Sequence, residues 1–185
     1  MIKFNQYTYM MAAAWLLSST AHSMVAMERA AMVAAPGQEL ASSAKRGDLN
    51  KLSALISASV NVNTTSQFGI TTGNTPLALA VYFQRYEAAR LLLGAGANVN
   101  IQNSCGGTAL QMVYIDIAAP HKTVELVRGL IAAGANPHLH SRNTNETPVD
   151  AWKRVLLNGL LPAQSNDAVR QIINLLEEAE RKFQR

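Results

Sequence analysis

The sequence is short of the groups from which most enzymes are built. One cysteine, Cys105, among 185 residues cannot close an internal disulfide and lacks the companions that a structural zinc site requires. No Gly-x-Ser-x-Gly elbow, Cys-x-x-Cys pair or His-Glu-x-x-His helix occurs, which removes the common serine hydrolases, dithiol redox proteins and zinc peptidases. Gly94-Ala95-Gly96 opens like a dinucleotide-binding loop, but Val99 takes the place of the third glycine and the segment follows a helical pattern instead of a strand. No catalytic residue, cofactor or metal is therefore expected. Charge is thin as well: 16 basic residues stand against 12 acidic ones, a net of +4, and the basic ones, all but Lys3 and Arg29, are scattered from Lys45 to Arg185 without a long run. Nucleic-acid recognition asks for a clustered patch, so none is expected. Nor does any apolar stretch reach the roughly 20 residues that a stable membrane span requires. What abounds is hydrophobic side chains, 49% of the chain, enough to bury one continuous core.

The N-terminus reads differently from the rest. Lys3 is the only charge before Glu28, and Met10-Met11-Ala12-Ala13-Ala14-Trp15-Leu16-Leu17 is a short apolar run closed by small residues up to Ser23. That is the shape of a secretory signal peptide over residues 1–23, cleaved after Ala21 or Ser23. Export to a periplasm or the medium follows if it is cleaved; a cytoplasmic leader and a retained anchor are the alternatives. Residues 24–38, rich in Ala and Met and ending at Pro36-Gly37, read as a linker.

From residue 39 the chain repeats itself. Gly73-Asn74-Thr75-Pro76-Leu77-Ala78-Leu79-Ala80 recurs as Gly106-Gly107-Thr108-Ala109-Leu110-Gln111-Met112-Val113, 33 residues on, and again from Asn145-Glu146-Thr147-Pro148-Val149. A second landmark, Gly96-Ala97-Asn98-Val99-Asn100, matches Ser59-Val60-Asn61-Val62-Asn63 and Gly134-Ala135-Asn136-Pro137. Thr-Pro ahead of an apolar stretch starts a helix, because the hydroxyl caps a free amide and proline's φ suits the first turn. A second helix follows, with Ala88, Ala89, Leu91, Leu92 and Leu93 on one side and Gly94 or Gly96 ending it. Such short helix pairs cannot bury their apolar sides alone, so the units must stack into a solenoid. Four units result, at about 39–63, 73–100, 106–137 and 145–181. In the last, Ser165-Asn166-Asp167 is expected to start the outer helix, and Glu177/Arg181 and Glu178/Lys182 are spaced as i, i+4 pairs.

These residues resemble the ankyrin-repeat family, whose unit runs from Thr-Pro-Leu-His to Gly-Ala-Asp-Val-Asn; with its signal-like leader the chain resembles the small bacterial type. The resemblance implies an all-α solenoid of helix-turn-helix units with β-turn fingers, a monomer that binds another protein through the fingers and the exposed ends of the inner helices. Carried onto this sequence, the inner-helix positions are Lys45-Arg46, Tyr82-Phe83, Ile115-Asp116 and Arg154-Val155. The finger positions are Thr71, Thr72 and Asn74, then Ser104, Cys105 and Gly107, then Asn143, Thr144 and Glu146, with Phe68 in a lengthened first finger. Tyr82 and Phe83 lead, since aromatics near the centre of a contact carry disproportionate binding energy. Lys45 and Arg46 favour an acidic partner, and Trp152 is read as core. The family histidine that ties units together is replaced by Ala78, Gln111 and Asp150, so looser stacking is expected. The inter-helix glycine kept at Gly47 is Gln84 in the second unit, and in the third the region swells over Ile115–Lys122. Two other readings remain: an effector delivered by a host-associated microbe, and a metal-assisted enzyme using His121, His138 and His140.

Overall fold

In the computed structural model the described residues are 36–66, 72–142, 144–159 and 161–183; the proposed signal segment, Phe68, Thr71 and Asn143 lie outside them. Helix α1 covers residues 36–46 and is followed by α2 (Leu49–Ser57), α3 (Pro76–Tyr82), α4 (Tyr86–Gly94), a single 3-10 turn (Leu110–Met112), α5 (Pro120–Ala132), α6 (Pro148–Leu157) and α7 (Ala163–Phe183). No strand occurs among the described residues. The order is inner helix, outer helix and finger, repeated. The outer helices α2, α4, α5 and α7 stack along one side, and Leu52, Leu92, Val127, Leu130, Ile172 and Leu176 are buried in one core that runs through all units.

Helix starts follow the threonines and prolines. Thr75 accepts a hydrogen bond from Ala78 N at 3.1 Å with Pro76 in the first turn. Thr147 does the same from Asp150 N at 3.2 Å, and Asp150 returns the bond to Thr147 N. This reciprocal capping satisfies two amides that a helix start leaves open. The inter-helix turns require left-handed backbone, supplied by Gly47 at φ +76° and, in the second unit, by Gln84 at φ +55°. Of the two glycines that could end α4, Gly96 carries the positive φ, at +79°, and Gly94 is helical.

The Asn-x-Asn landmark is a ladder. Within each unit the first asparagine closes a turn on the amide two residues on, as Asn98 Oδ1 does from Asn100 N at 2.9 Å. The second reaches the next unit: Asn63 Oδ1 accepts from Asn98 N at 2.7 Å, and Asn100 Oδ1 accepts from Asn136 N at 2.8 Å while its Nδ2 donates to Gly134 O at 2.9 Å. The fingers are joined by backbone too, Ser104 N donating to Thr72 O and Arg142 N to Cys105 O, both at 3.0 Å. Buried Asn103 accepts from Cys105 N and Gly107 N and donates to Asn74 Oδ1 at 2.8 Å.

The structure departs from the sequence expectations at four places. The inner helix of the third unit is reduced to Leu110–Met112, and the chain turns extended at Val113 (φ −72°, ψ 128°). Val113-Tyr114-Ile115 combines β-branched and aromatic residues, poor helix formers. Asp116 then closes a local turn by accepting from Ala118 N and Ala119 N, and Pro120 disfavours helical backbone at Ala119. Looser stacking is not what Gln111 gives: its Oε1 accepts from Thr108 N at 3.0 Å and its Nε2 donates across to Leu139 O at 3.0 Å. Helix α7 begins at Ala163, behind Pro162, so Ser165 lies inside the first turn and is buried. Finally, the Glu177 carboxylate reaches Lys153 of α6 at 2.8 Å, and Arg181 Nε meets only the Glu177 carbonyl. A link between two packed helices replaces the expected pair along one helix.

Candidate partner-binding groove

The inner helices and fingers enclose a groove of about 930 Å³. Its walls are α1, through Gln38 and Lys45; α3, through Tyr82 and Phe83; and α6, through Trp152 and Arg154. The third-unit segment forms the floor, and Asn74, Cys105 and Thr144 bring the fingers to its rim. Because the third inner helix is a single turn, the space between α3 and α6 is lined by Met112, Tyr114 and Ile115 where a helix would otherwise stand.

Aromatic rings dominate one end. The Tyr82 ring meets Phe83 edge-on, centroids 5.0 Å apart, and Tyr114 edge-on at 5.3 Å. The Lys45 ammonium lies 5.0 Å from the Phe83 centroid, a cation over a ring face. Tyr82 and Tyr114 nonetheless remain 45% and 54% exposed, more surface than large rings keep when they serve only the core. Burial, and then the neighbouring Tyr82 hydroxyl, push the Tyr114 phenol above its ordinary range. At the other end Arg154 grips Glu146 through two bonds of 3.0 Å, which cancels both charges. Trp152 is buried as expected, yet its edge reaches the groove.

Of the residues chosen from sequence, Lys45, Tyr82, Phe83, Asn74, Ile115 and Thr144 line this groove. Arg46 does not. It borders a smaller depression of about 400 Å³ with Arg85, Lys122 and Glu125 on the edge of the inter-helix turns. Asp116 is committed to structure: it accepts from Tyr86 Oη at 3.2 Å and from Ala118 N at 3.0 Å, holding the long third-unit loop. Thr72 and Ser104 meet each other through the finger backbone. Sequence reasoning missed Tyr114 and Met112, which enter the groove only because the third inner helix stops early. The signal was present in Val113-Tyr114-Ile115, a run that resists helix.

The arrangement suits packing and hydrogen bonding more than acid–base chemistry. His138 Nε2 faces Glu180 O at 3.4 Å, His140 Nδ1 faces Asn145 O at 3.2 Å, and His121 is exposed in α5. Among the described residues no three metal-binding side chains converge, and no helix is long and apolar enough to cross a membrane.

Comparison with known proteins agrees with this architecture. Residues 55–113 match the family model described as ankyrin repeats (many copies). The chain carries ankyrin repeats. It is 34% identical over 104 residues to a probable E3 ubiquitin-protein ligase, XBOS32, of Oryza sativa subsp. japonica, covering 56% of this chain and 20% of that protein. It is 32% identical over 142 residues to the E3 ubiquitin-protein ligase XBAT32 of Arabidopsis thaliana, covering 71% of this chain and 26% of that protein. The chain thus spans about a quarter or less of these relatives. Ankyrin repeats support protein–protein interaction, so the groove of this ankyrin chain is the surface to weigh first.

Proposed function

We propose that this ankyrin-repeat chain is a non-catalytic binding module, a monomer that holds another protein in the groove through its finger turns and inner-helix ends. The observation that carries the reading is the ring cluster at the groove wall, in which half-exposed Tyr82 and Tyr114 pack with partly buried Phe83. Anchors of this kind typically cost about 2 kcal/mol or more when truncated, roughly thirtyfold in affinity.

Affinity capture with the full chain, followed by mass spectrometry, identifies a partner; the variant Tyr82→Ala with Phe83→Ala then tests the surface. Capture lost with helical circular dichroism unchanged supports the reading, and retained capture refutes it. We further propose that residues 1–23 direct export, supported by the apolar run and small residues that end it. Protein recovered outside the cytoplasm and beginning at His22 or Met24 bears this out, whereas one that still begins at Met1 overturns it.

A further inference from the structure

We infer that the groove selects a partner segment carrying an acidic residue and a large apolar side chain about three residues apart, the carboxylate on Lys45 and the apolar group in the space left by the third inner helix. The inference rests on the groove being the binding surface, and it adds which chemistry the groove selects.

Two independent features support it. The first is shape. Between α3 and α6 the chain offers Leu110–Met112 and an extended Val113 in place of a helix, so the floor is buried Leu110 and Val113, walled by Met112, Tyr114 and Trp152. A recess of this lining is satisfied by an apolar or aromatic side chain, whereas a polar one entering it would give up water without a matching partner. The second is charge. Of the groove's ionic groups, Arg154 and Glu146 neutralise each other at the α6 end. Lys45 is exposed at the α1 end, and among the described residues its ammonium meets only the Phe83 ring and no carboxylate. A ring face steadies the cation without neutralising it. The groove is therefore positive at one end, neutral at the other and apolar between.

Spacing follows from the stack. Lys45 already lies over Phe83 of the second unit, so its ammonium and the third-unit recess are separated by about one inter-helix step, roughly 8–10 Å. An extended peptide covers that in about three residues at roughly 3.3 Å each.

The test is selection of a random twelve-residue peptide library on the immobilised full chain, with a parallel selection on Lys45→Glu. The expected result is enrichment of Asp or Glu about three positions from Trp, Phe, Tyr, Leu or Met, with replacement of the acid by Lys or Arg on the Lys45→Glu chain. In fluorescence anisotropy, exchanging the selected peptide's acid for its amide weakens binding about tenfold on the natural chain and leaves binding to Lys45→Glu no weaker. Tyr114→Ala, at an exposed side chain, reduces the apolar preference. Peptides that need Tyr82 and Phe83 but show no acid, or keep it on Lys45→Glu, overturn this inference while leaving the binding surface in place. Peptides indifferent to Tyr82→Ala with Phe83→Ala overturn both, and a library yielding no groove-dependent peptide overturns the inference.

Discussion

Replacing Asn100 by alanine removes the rung that joins the second unit to the third, and the structure sets the size of the effect. The Oδ1 of Asn100 accepts from Asn136 N at 2.8 Å in a part-buried setting, and its Nδ2 donates to Gly134 O at 2.9 Å in an exposed one. A net intramolecular hydrogen bond contributes about 0.5–1.5 kcal/mol, most where water cannot replace it. The amide of Asn136 therefore loses about 1 kcal/mol and the Gly134 carbonyl about half of that. Alanine introduces no backbone strain, since Asn100 is not among the residues with positive φ. The expected loss is about 1.5 kcal/mol, or roughly 3–6 °C in Tm for a chain of this size. Asn100→Asp keeps the acceptor and loses only the donor, so it falls between. Asn61→Ala is the control, because Asn61 Oδ1 serves only the exposed Asn63 N of its own unit. Urea and thermal unfolding followed at 222 nm measure all three. A shallower urea slope in Asn100→Ala would accompany the loss, because nearest-neighbour coupling makes a solenoid unfold as one body. If Asn100→Ala melts with Asn61→Ala, the ladder is decoration and the apolar core alone holds the stack.

Three further outcomes follow from local geometry. Gln84→Gly should raise stability by about 0.5–1 kcal/mol in urea unfolding, because a side chain held at φ +55° is relieved, whereas Gly47→Ala should lower it, its new Cβ standing 3.0 Å from Arg85 Cδ at φ +76°. Burial holds the Tyr86 phenol above its ordinary 10.0, so its contribution is whole below pH 10 and is lost as pH rises through the folded value; in melts across alkaline pH, Tyr86→Phe should be weaker by about 1 kcal/mol at neutrality but should lack that loss. Thr147 bonds hold the Asp150 carboxyl below its ordinary 3.8, so capping is whole above that value and fades as pH falls through the lower folded value; Thr147→Ala should cost about 1 kcal/mol at pH 7 and progressively less in acid melts.

The repeat was legible because its signals are local. Thr75-Pro76, Thr147-Pro148 and Gly47 each specify backbone within a few residues, and the structure places helix starts and a left-handed turn at them. Tyr82 and Phe83 were legible as groove residues because α3 follows the family length. What the sequence did not disclose depends on competition between neighbours. The third inner helix stops because Asp116 and Pro120 favour a turn just where helix would have to continue, and that early stop brings Tyr114 and Met112 into the groove. The same event takes Asp116 out of the binding set by committing it to Tyr86 and its own loop. Arg46 shows the other limit. Adjacent helical residues point about 100° apart, and at this helix end that turn carries Arg46 past the groove to the depression it shares with Arg85, Lys122 and Glu125.

Where the third inner helix is cut to one turn, polar links still join the third unit to both neighbours. An inner helix ordinarily supplies apolar contact to both neighbours, and here Leu110–Met112 supplies one turn of it. Polar links cross both junctions of the third unit: Asn100 to Asn136 N and Gly134 O on the side of the second unit, and Gln111 to Leu139 O and Arg142 N to Cys105 O on the side of the fourth. All four bonds engage backbone on one or both sides, so they hold spacing without filling volume. Packed side chains at the same place would have closed the recess. The groove at the centre of the stack thus stays open while the units are joined beside it, by asparagines at the outer turns and by the Gln111 side chain reaching Leu139 O.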